Sequence, residues 1–364
     1  MRVFFAGGGT GGHLYPGLAI ARALVAHAPH VRPHFIGAQR GIEREVLPGT
    51  EFSYTLLALH PLYRSAPWRN VHTLLGGVGA WRAISRLAAA DAPACVVGTG
   101  GYAAGVALAW ARTNGVPYVL HECDSFPGKV TRWFAPRARL LSLGFPEAAK
   151  RLRPGTATTV VAHGNPIAPP GDRAQLRGPA RARWSLSSDT FTVLVVGGSQ
   201  GSAALNAVVA EWCRAGLPEG VSLIWATGRA HYEAHASLAS AQVHIEPYLA
   251  PIGDAYAAAD LAVTRAGAMT IAELCAWGLP AVLVPLPTAA QDHQTHNART
   301  VAAAGAAVHL PQPSLTGASL HDTVCALRDD PAELAAMAEA ARERGRRDAA
   351  AQIALAITAL LARR

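Results

Sequence analysis

Val3-Phe4-Phe5-Ala6, then Gly7-Gly8-Gly9-Thr10-Gly11-Gly12, then an apolar rhythm through Leu18, Ala19, Ala23 and Leu24 is the stretch that decides the fold. A short run apolar at every position reads as a strand buried on both faces. The glycines make a tight turn, and the spacing beyond them is helical. The same unit recurs far downstream, where Thr192-Val193-Leu194-Val195-Val196 precedes Gly197-Gly198-Ser199-Gln200-Gly201 and a helical pattern through Leu205, Val208, Val209 and Trp212. A smaller version is Cys95-Val96-Val97-Gly98-Thr99-Gly100-Gly101. Further apolar runs at 116–120, 222–226, 261–264 and 280–285 alternate with helical patterns. Such alternation predicts an α/β fold with doubly wound parallel sheets.

Two strand–glycine–helix starts about 190 residues apart predict two domains of similar plan, as 364 residues at roughly 150 per domain also suggest. The Pro- and Gly-dense stretch Gly164-Asn165-Pro166-Ile167-Ala168-Pro169-Pro170-Gly171 and the Arg-rich segment after it break the pattern. The expected division is therefore 1–163, a linker at 164–190, a second domain at 191–344, and a C-terminal helix at 345–364. That helix is expected to pack back on the first domain. The chain is 51% hydrophobic and 15% charged, which excludes a disordered polymer. Its net charge of +8 favours an anionic partner. Five cysteines (95, 123, 213, 275, 325) without a CxxC pair argue against a disulfide framework and a zinc cluster, and fit a reducing, cytoplasmic setting.

Glycine turns at helix starts let backbone N–H groups approach a phosphate that a Cβ would keep away. A dinucleotide-binding turn also needs an acid about 20 residues on, for the ribose. Here none follows the second strand until Glu43, which weakens that reading without removing it. No Gly-Lys-Ser/Thr follows the turn, so a P-loop is excluded. His13, directly after the turn, can cap or pack like any helix-start histidine. Beside a bound anion, its neutral imidazole could instead take a proton from an attacking hydroxyl. Glu273 lies one turn into the helix that follows Arg265-Ala266-Gly267-Ala268-Met269-Thr270. It can either complement the helix dipole or take the two hydroxyls of a ribose. Gln294 and Asn297 share a helix face and suit sugar hydroxyls. His293 and His296 have the spacing of metal ligands, but no third ligand lies nearby, so no metal site is expected.

Read in order, Gly-Gly-Thr-Gly-Gly-His at 8–13, Gly-Gly-Tyr at 100–102, His121-Glu122, Gly164-Asn165-Pro166, Gly-Gly-Ser-Gln-Gly at 197–201, Arg-Ala-Gly-Ala-x-Thr-x-x-Glu at 265–273 and His-Gln-x-x-Asn-Ala at 293–298 resemble the MurG family of N-acetylglucosaminyltransferases. The resemblance implies a GT-B fold: two Rossmann-like domains facing across a cleft, with UDP-N-acetylglucosamine held mainly by the C-terminal one. It implies transfer of N-acetylglucosamine, with inversion, to the 4-hydroxyl of the muramyl sugar of lipid I, giving lipid II for peptidoglycan synthesis. Carried over, it places Thr10, Gly11 and Gly12 near the transferred sugar and diphosphate, and makes His13 the base or an acceptor-positioning group. Ser199 and Gln200 would meet phosphate, and Ala268, Met269 and Thr270 the diphosphate through their amides. Glu273 would meet the ribose, Gln294 and Asn297 the sugar hydroxyls, and the backbone of Leu249 the uracil.

The chain departs from the family pattern at Cys123-Asp124, where an amide is replaced by a carboxylate, and at Ala168, where a guanidinium is lost. Arg173 or Arg265 is expected to substitute for that missing cation. Asp-x-Asp is absent, so the expected chemistry uses helix N-termini rather than a metal, and no cofactor. A lipid-linked acceptor implies a peripheral protein on the cytoplasmic face of the bacterial plasma membrane, with an anionic membrane surface and cell-wall synthesis proteins as partners. The interleaved aromatics and arginines at 60–64 and 67–69, continuing through Leu74, Leu75, Val78, Trp81 and Arg82, form the expected membrane patch. An amphipathic helix packed on the core explains them equally. No basic run carries stacking aromatics on a nucleic-acid module, so nucleic acid is not an expected partner. Two other readings remain: another GT-B enzyme, such as a UDP-sugar 2-epimerase or a different glycosyltransferase, and a non-catalytic binder of nucleotide-sugar or lipid-linked glycan.

Overall fold

The computed structural model describes residues 1–59 and 70–362, with the side chains of 70–75 excepted. The chain divides into two compact units, Met1–Ile167 with Asp348–Arg364, and Ala168–Arg347.

Among the described residues the first unit holds seven parallel strands: β1 (Arg2–Ala6), β2 (Arg32–Ala38), β3 (Ser53–Leu57), β4 (Pro93–Gly98), β5 (Tyr118–Glu122), β6 (Leu140–Leu143) and β7 (Thr159–Val161). Their order across the sheet is β3-β2-β1-β4-β5-β6-β7, so the direction of winding reverses between β1 and β4. Helices α1 (Gly11–His27), α2 (Glu43–Val46), α3 (Asn70–Ala90), α4 (Gly101–Thr113) and α5 (Lys129–Phe134) connect them. Alternation along β1 assigns the two faces. Val3 and Phe5 join α1 in one core, while Phe4 and Ala6 join α3 and α4 in the other.

The second unit repeats the plan with six parallel strands: β8 (Phe191–Val196), β9 (Val221–Ala226), β10 (Val243–Glu246), β11 (Leu261–Thr264), β12 (Ala281–Leu283) and β13 (Ala307–His309). Their order is β10-β9-β8-β11-β12-β13, reversing between β8 and β11. Its helices are α6 (Arg173–Arg183), α7 (Ala203–Ala215), α8 (Ile252–Ala258), α9 (Ala268–Trp277), α10 (His293–Ala303), α11 (Gly317–Asp329) and α12 (Pro331–Arg344).

The last helix, α13 (Ala349–Ala362), belongs to the first unit and packs on α1. Ile353, Ile357 and Leu361 are fully buried there, each stabilising by about 1.5–3 kcal/mol. The alanine-rich tail is thus two helices serving different cores, since Met337 of α12 is buried in the second unit.

The stretch expected as a linker departs from that expectation. Arg173–Arg183 is a helix capped by Asp172, whose carboxylate accepts from the N–H groups of Ala174 and Gln175. Its arginines face α8. Arg181 Nη1 donates to Ala258 O at 3.0 Å, Arg177 Nη2 to Asp260 Oδ1 at 2.6 Å, and Arg173 Nη2 to Ala259 O. Guanidinium groups here satisfy the open carbonyls at a helix C-terminus, which is why an Arg-rich segment forms a docked helix, with Arg181 buried, rather than a solvated chain.

The expected membrane patch lies largely outside the described residues. Of its described members, Val78 and Arg82 are exposed, whereas Trp81 is partly buried against the core beneath α3 and α4. No helix among the described residues is long and apolar enough to cross a membrane.

Candidate functional site

In an open parallel sheet, the turns leaving two strands at the winding reversal diverge and leave a crevice at the strands' C-terminal ends. Each unit has such a point, and the glycine turns lie at both.

In the first unit, the turn after β1 meets the turn after β4. Thr99 Oγ1 donates to His13 O at 2.7 Å, and Thr99 N–H donates to Ala6 O. The approach needs glycine on both sides. A Cβ on Gly7 would sit 1.8 Å from Thr99 Oγ1, and one on Gly101 would sit 2.1 Å from Gly8 O. Gly100, at φ +97°, lies under the imidazole, where a Cβ would stand 3.1 Å from His13 Nε2. Thr10 is the N-cap of α1, but its hydroxyl makes no capping bond and pairs instead with His13 Nδ1 at 3.1 Å. Thr10 and Gly12 are exposed, Gly11 and His13 half-buried. Asp124 stands half-buried just after β5, next to Cys123, whose Sγ reaches Gly12 O at 3.6 Å.

Two buried carboxyl groups support these turns. Glu43, fully buried, was missed as a functional candidate. Its Oε1 accepts from Gly9 N–H at 2.9 Å and Ala38 N–H at 3.1 Å. Gly8 and Gly41 leave it room, since a Cβ on either would stand within 2 Å of the carboxyl. The Gly37-x-x-x-Gly41-x-Glu43 spacing was the available signal. Glu122 accepts from Asp124 N–H at 3.1 Å and Gly128 N–H at 3.0 Å. Burial, and then the Asp124 charge, push its pKa up to about 7. His121 is buried as a strut: Nε2–H donates to Asn165 Oδ1 at 3.2 Å, and Nδ1 pairs with Ser142 Oγ at 3.3 Å. Burial holds its pKa down at about 4.

In the second unit, the reversal between β8 and β11 opens a cavity of about 430 Å³. Gly197, Gly198, Gly201 and Ser202 line it from the turn after β8, and Arg265, Gly267 and Thr270 from the turn after β11. Leu286, Gln294 and Gln312 also line it. Ser199 and Gln200 are exposed between the lining glycines, just before α7. The helix itself starts at Ala203 with Ser202 as its cap, Ser202 Oγ accepting from Leu205 N–H at 3.3 Å. Gly201, at φ +77°, is required because a Cβ would lie 2.1 Å from Thr227 O.

Arg265 dominates the electrostatics. It is buried, and its four hydrogen-bond acceptors are neutral oxygens. Nη1 donates to Val284 O and Pro285 O, both at 3.2 Å, and Nη2 to Ser202 Oγ at 2.6 Å and Gln312 Oε1 at 2.7 Å. Burial lowers its pKa from the ordinary guanidinium value. Among the described residues no carboxylate pairs with it. A desolvated cation between the starts of α7 and α9 favours an anion entering the cavity. Of the two arginines expected to replace the missing cation, this is the one so placed. Arg173 donates to Ala259 O and to Gly278 O, at the far, C-terminal end of α9. A ten-residue helix separates that end from the cavity by about 15 Å, so Arg173 is structural.

Ala268, Met269 and Thr270 form the first turn of α9, and Glu273 follows one turn on. Tyr256 OH donates to Glu273 Oε2 at 2.8 Å. Burial raises the Glu273 pKa and the tyrosine hydrogen bond opposes it. Gln294 Oε1 accepts from Leu286 N–H at 2.9 Å, which directs its amide along the cavity wall. Asn297, expected beside it on the sugar, is fully buried, and its amide donates to Ala266 O at 3.3 Å. It braces the Arg265 turn from behind. Leu249 is buried in the turn between β10 and α8. Among the described residues no group of three or more His, Cys, Asp or Glu is placed to hold a metal.

Two parallel-sheet units with glycine turns at both reversals are the GT-B architecture, and the chain is a glycosyltransferase by descent. Residues 3–140 match the glycosyltransferase family 28 N-terminal domain and residues 192–353 its C-terminal domain. A UDP-N-acetylglucosamine–N-acetylmuramyl-(pentapeptide) pyrophosphoryl-undecaprenol N-acetylglucosamine transferase from Moorella thermoacetica is 41% identical over 361 residues, 95% of each chain. The crystal structure of MurG from Acinetobacter baumannii superposes with a TM-score of 0.76 at 28% identity, covering 98% of this chain and 99% of that one. The calicheamicin glycosyltransferase, at 18% identity and a TM-score of 0.70 over 100% of this chain and 98% of its own, shares the fold alone. The chain belongs to the MurG family within glycosyltransferase family 28.

Proposed function

We propose that the chain transfers N-acetylglucosamine from UDP-N-acetylglucosamine to the 4-hydroxyl of the muramyl sugar of lipid I. The observation that carries this reading is Arg265, a buried cation with neutral partners, lining a cavity between two helix starts. A diphosphate is the anion such a cavity suits, with Ser199, Gln200, Ala268, Met269 and Thr270 offering backbone N–H groups from the two turns. Gln294 then takes sugar hydroxyls, Glu273 the ribose, and the backbone of Leu249 the uracil.

The reaction is an in-line displacement with inversion. The bond between the anomeric carbon and the UDP oxygen breaks as the acceptor O4 bonds to that carbon. The O4 proton passes to His13. In the tautomer where Nδ1–H donates to Thr10, Nε2 carries the lone pair that receives it. Thr10 pairs with that imidazole, and Gly11, Gly12 and Asp124, whose neighbour Cys123 reaches Gly12 O, are the further residues this reading gives to substrate. Charge growing on the departing UDP is met by Arg265 and the starts of α7 and α9, so no divalent metal is required.

The acceptor's lipid places the protein at the cytoplasmic face of the bacterial plasma membrane. An anionic surface suits the first unit, where Arg112, Arg137 and Arg139 line one exposed groove. Membrane-bound cell-wall synthesis proteins are the further partners this location suggests. The test is product analysis with purified protein, UDP-N-acetylglucosamine and a lipid I analogue in excess chelator. Disaccharide-lipid at full rate is the expected result. Free sugar plus UDP, or binding without conversion, refutes transfer, and activity restored only by magnesium refutes the metal-free mechanism.

A further inference from the structure

We propose that Tyr256 is a positioning residue for donor recognition: its hydroxyl holds Glu273 in the orientation that takes both ribose hydroxyls, so preference for a ribonucleotide over its 2′-deoxy counterpart passes through Tyr256. The inference rests on the reading of Glu273 as the ribose ligand. Tyr256 lies on α8, 2% exposed, and its OH donates to Glu273 Oε2 at 2.8 Å. Its ring is wedged against Trp277, centroids 6.0 Å apart, and Trp277 stands one helical turn beyond Glu273 on the same face of α9. Gly253 admits that indole, since a Cβ there would lie 3.2 Å from Trp277 Cζ2. A buried ring packed against that indole holds its hydroxyl in place, and a carboxylate gripped at one oxygen loses freedom to rotate. A bidentate ligand for a cis-diol needs that geometry, because each lost rotamer otherwise weakens binding.

The same hydrogen bond governs when the carboxylate is charged. Burial raises the Glu273 pKa, and Tyr256 is the group that lowers it. α9 packs on α8 and α12. On α8, Asp254 is tied to Arg183 at 2.9 Å. On α12, Glu339 pairs with Arg342, and Glu333, Glu343 and Arg344 complete the charged set. None of these enters the balance at Glu273. Without Tyr256 the carboxyl keeps its proton to higher pH, and a protonated acid accepts from one hydroxyl less.

The experiment compares wild type, Tyr256→Phe and Glu273→Gln with UDP-N-acetylglucosamine and its 2′-deoxyuridine analogue, across the acidic limb of the pH profile. Phenylalanine keeps the ring and its packing. In Tyr256→Phe, KM for the ribonucleotide is expected to rise about tenfold, as loss of a hydrogen bond to a charged group implies, with kcat changed far less. KM for the deoxy analogue stays near the wild-type value, so discrimination collapses, and the acidic rise in KM moves to higher pH. A Tyr256→Phe enzyme that keeps both discrimination and limb position, while Glu273→Gln loses discrimination, overturns the role of Tyr256 alone. Discrimination intact in Glu273→Gln overturns the ribose reading and the inference with it.

Discussion

Replacing Arg265 by methionine tests the donor site most directly, because it removes the charge and keeps most of the stem volume. Two unit charges 4–5 Å apart at an effective dielectric near 20 attract by about 3–4 kcal/mol. The four hydrogen bonds of Arg265 go to neutral protein oxygens, so this Coulomb energy is taken as the main loss of UDP affinity on substitution. At 1.36 kcal/mol per decade, UDP affinity falls by about 10² or more. The variant leaves the carbonyls of Val284 and Pro285, the Ser202 hydroxyl and the Gln312 amide oxygen without this donor. Removing a desolvated cation offsets part of that cost, so the unliganded protein remains folded.

Ligand-induced thermal stabilisation reads the affinity independently of the starting stability. At UDP equal to 100 times the wild-type Kd, linkage predicts about 2.7 kcal/mol of stabilisation, and after a hundredfold weakening about 0.4 kcal/mol. At about 2–4 °C per kcal/mol for a unit of this size, a wild-type shift of about 5–10 °C shrinks to about 1 °C. Each protein is compared with its own unliganded form. An undiminished UDP shift in Arg265→Met refutes the assignment of the diphosphate to this cavity.

Glu43→Ala deprives Gly9 and Ala38 of a buried acceptor. At about 1–3 kcal/mol for each orphaned N–H, urea titration should show a loss of about 2–6 kcal/mol, and less for Glu43→Gln, which keeps an oxygen in place. Equal urea midpoints for wild type and Glu43→Ala would remove the carboxyl from its supporting role. Glu122 and His121 predict opposed pH dependences. An acid held near 7 keeps its proton after the unfolded chain has released it, so its contribution falls as pH rises from 4.5 to about 7. A histidine held near 4 stays neutral after the unfolded chain is protonated, so its contribution falls as pH drops from 6.5 to about 4. Glu122→Gln should therefore gain about 3 kcal/mol relative to wild type between pH 4.5 and 7, measured by denaturant midpoints, and a constant difference across that window would count against the shift.

The strands were legible where burial on both faces leaves a continuous apolar run. The expected 261–264 coincides with β11, and 192–196 lies within β8. The run at 116–120 was read two residues early. Tyr118–Glu122 is the strand, and its polar end, His121-Glu122, is tolerated inside because Ser142, Asn165 and the amides of 124 and 128 satisfy it. No local window displays those partners. The same holds for α6, whose arginines look solvated until carbonyls some 80 residues away meet them. At the site, glycine turns announce themselves because positive φ and close backbone approach are local demands. Glu43, Ser202, Gln312 and Tyr256 stayed hidden, since each acts through a pairing 17 to 63 residues distant.

Those hidden residues separate two turns that look alike in sequence. In the first unit an internal carboxyl, Glu43, already takes the N–H of Gly9, the amide such a loop would offer to a phosphate. In the second, the turn after β8 is backed by the Arg265 guanidinium through Ser202, the cap of the following helix. One reversal point therefore holds an acidic group where an anion would sit, and the other a cation where an anion is wanted. Glycine content cannot distinguish them, whereas the sign of the group behind the glycines can. That difference supports the proposal that the diphosphate binds in the C-terminal unit, with the first turn, where Thr10 pairs with His13, proposed for proton transfer from the acceptor hydroxyl.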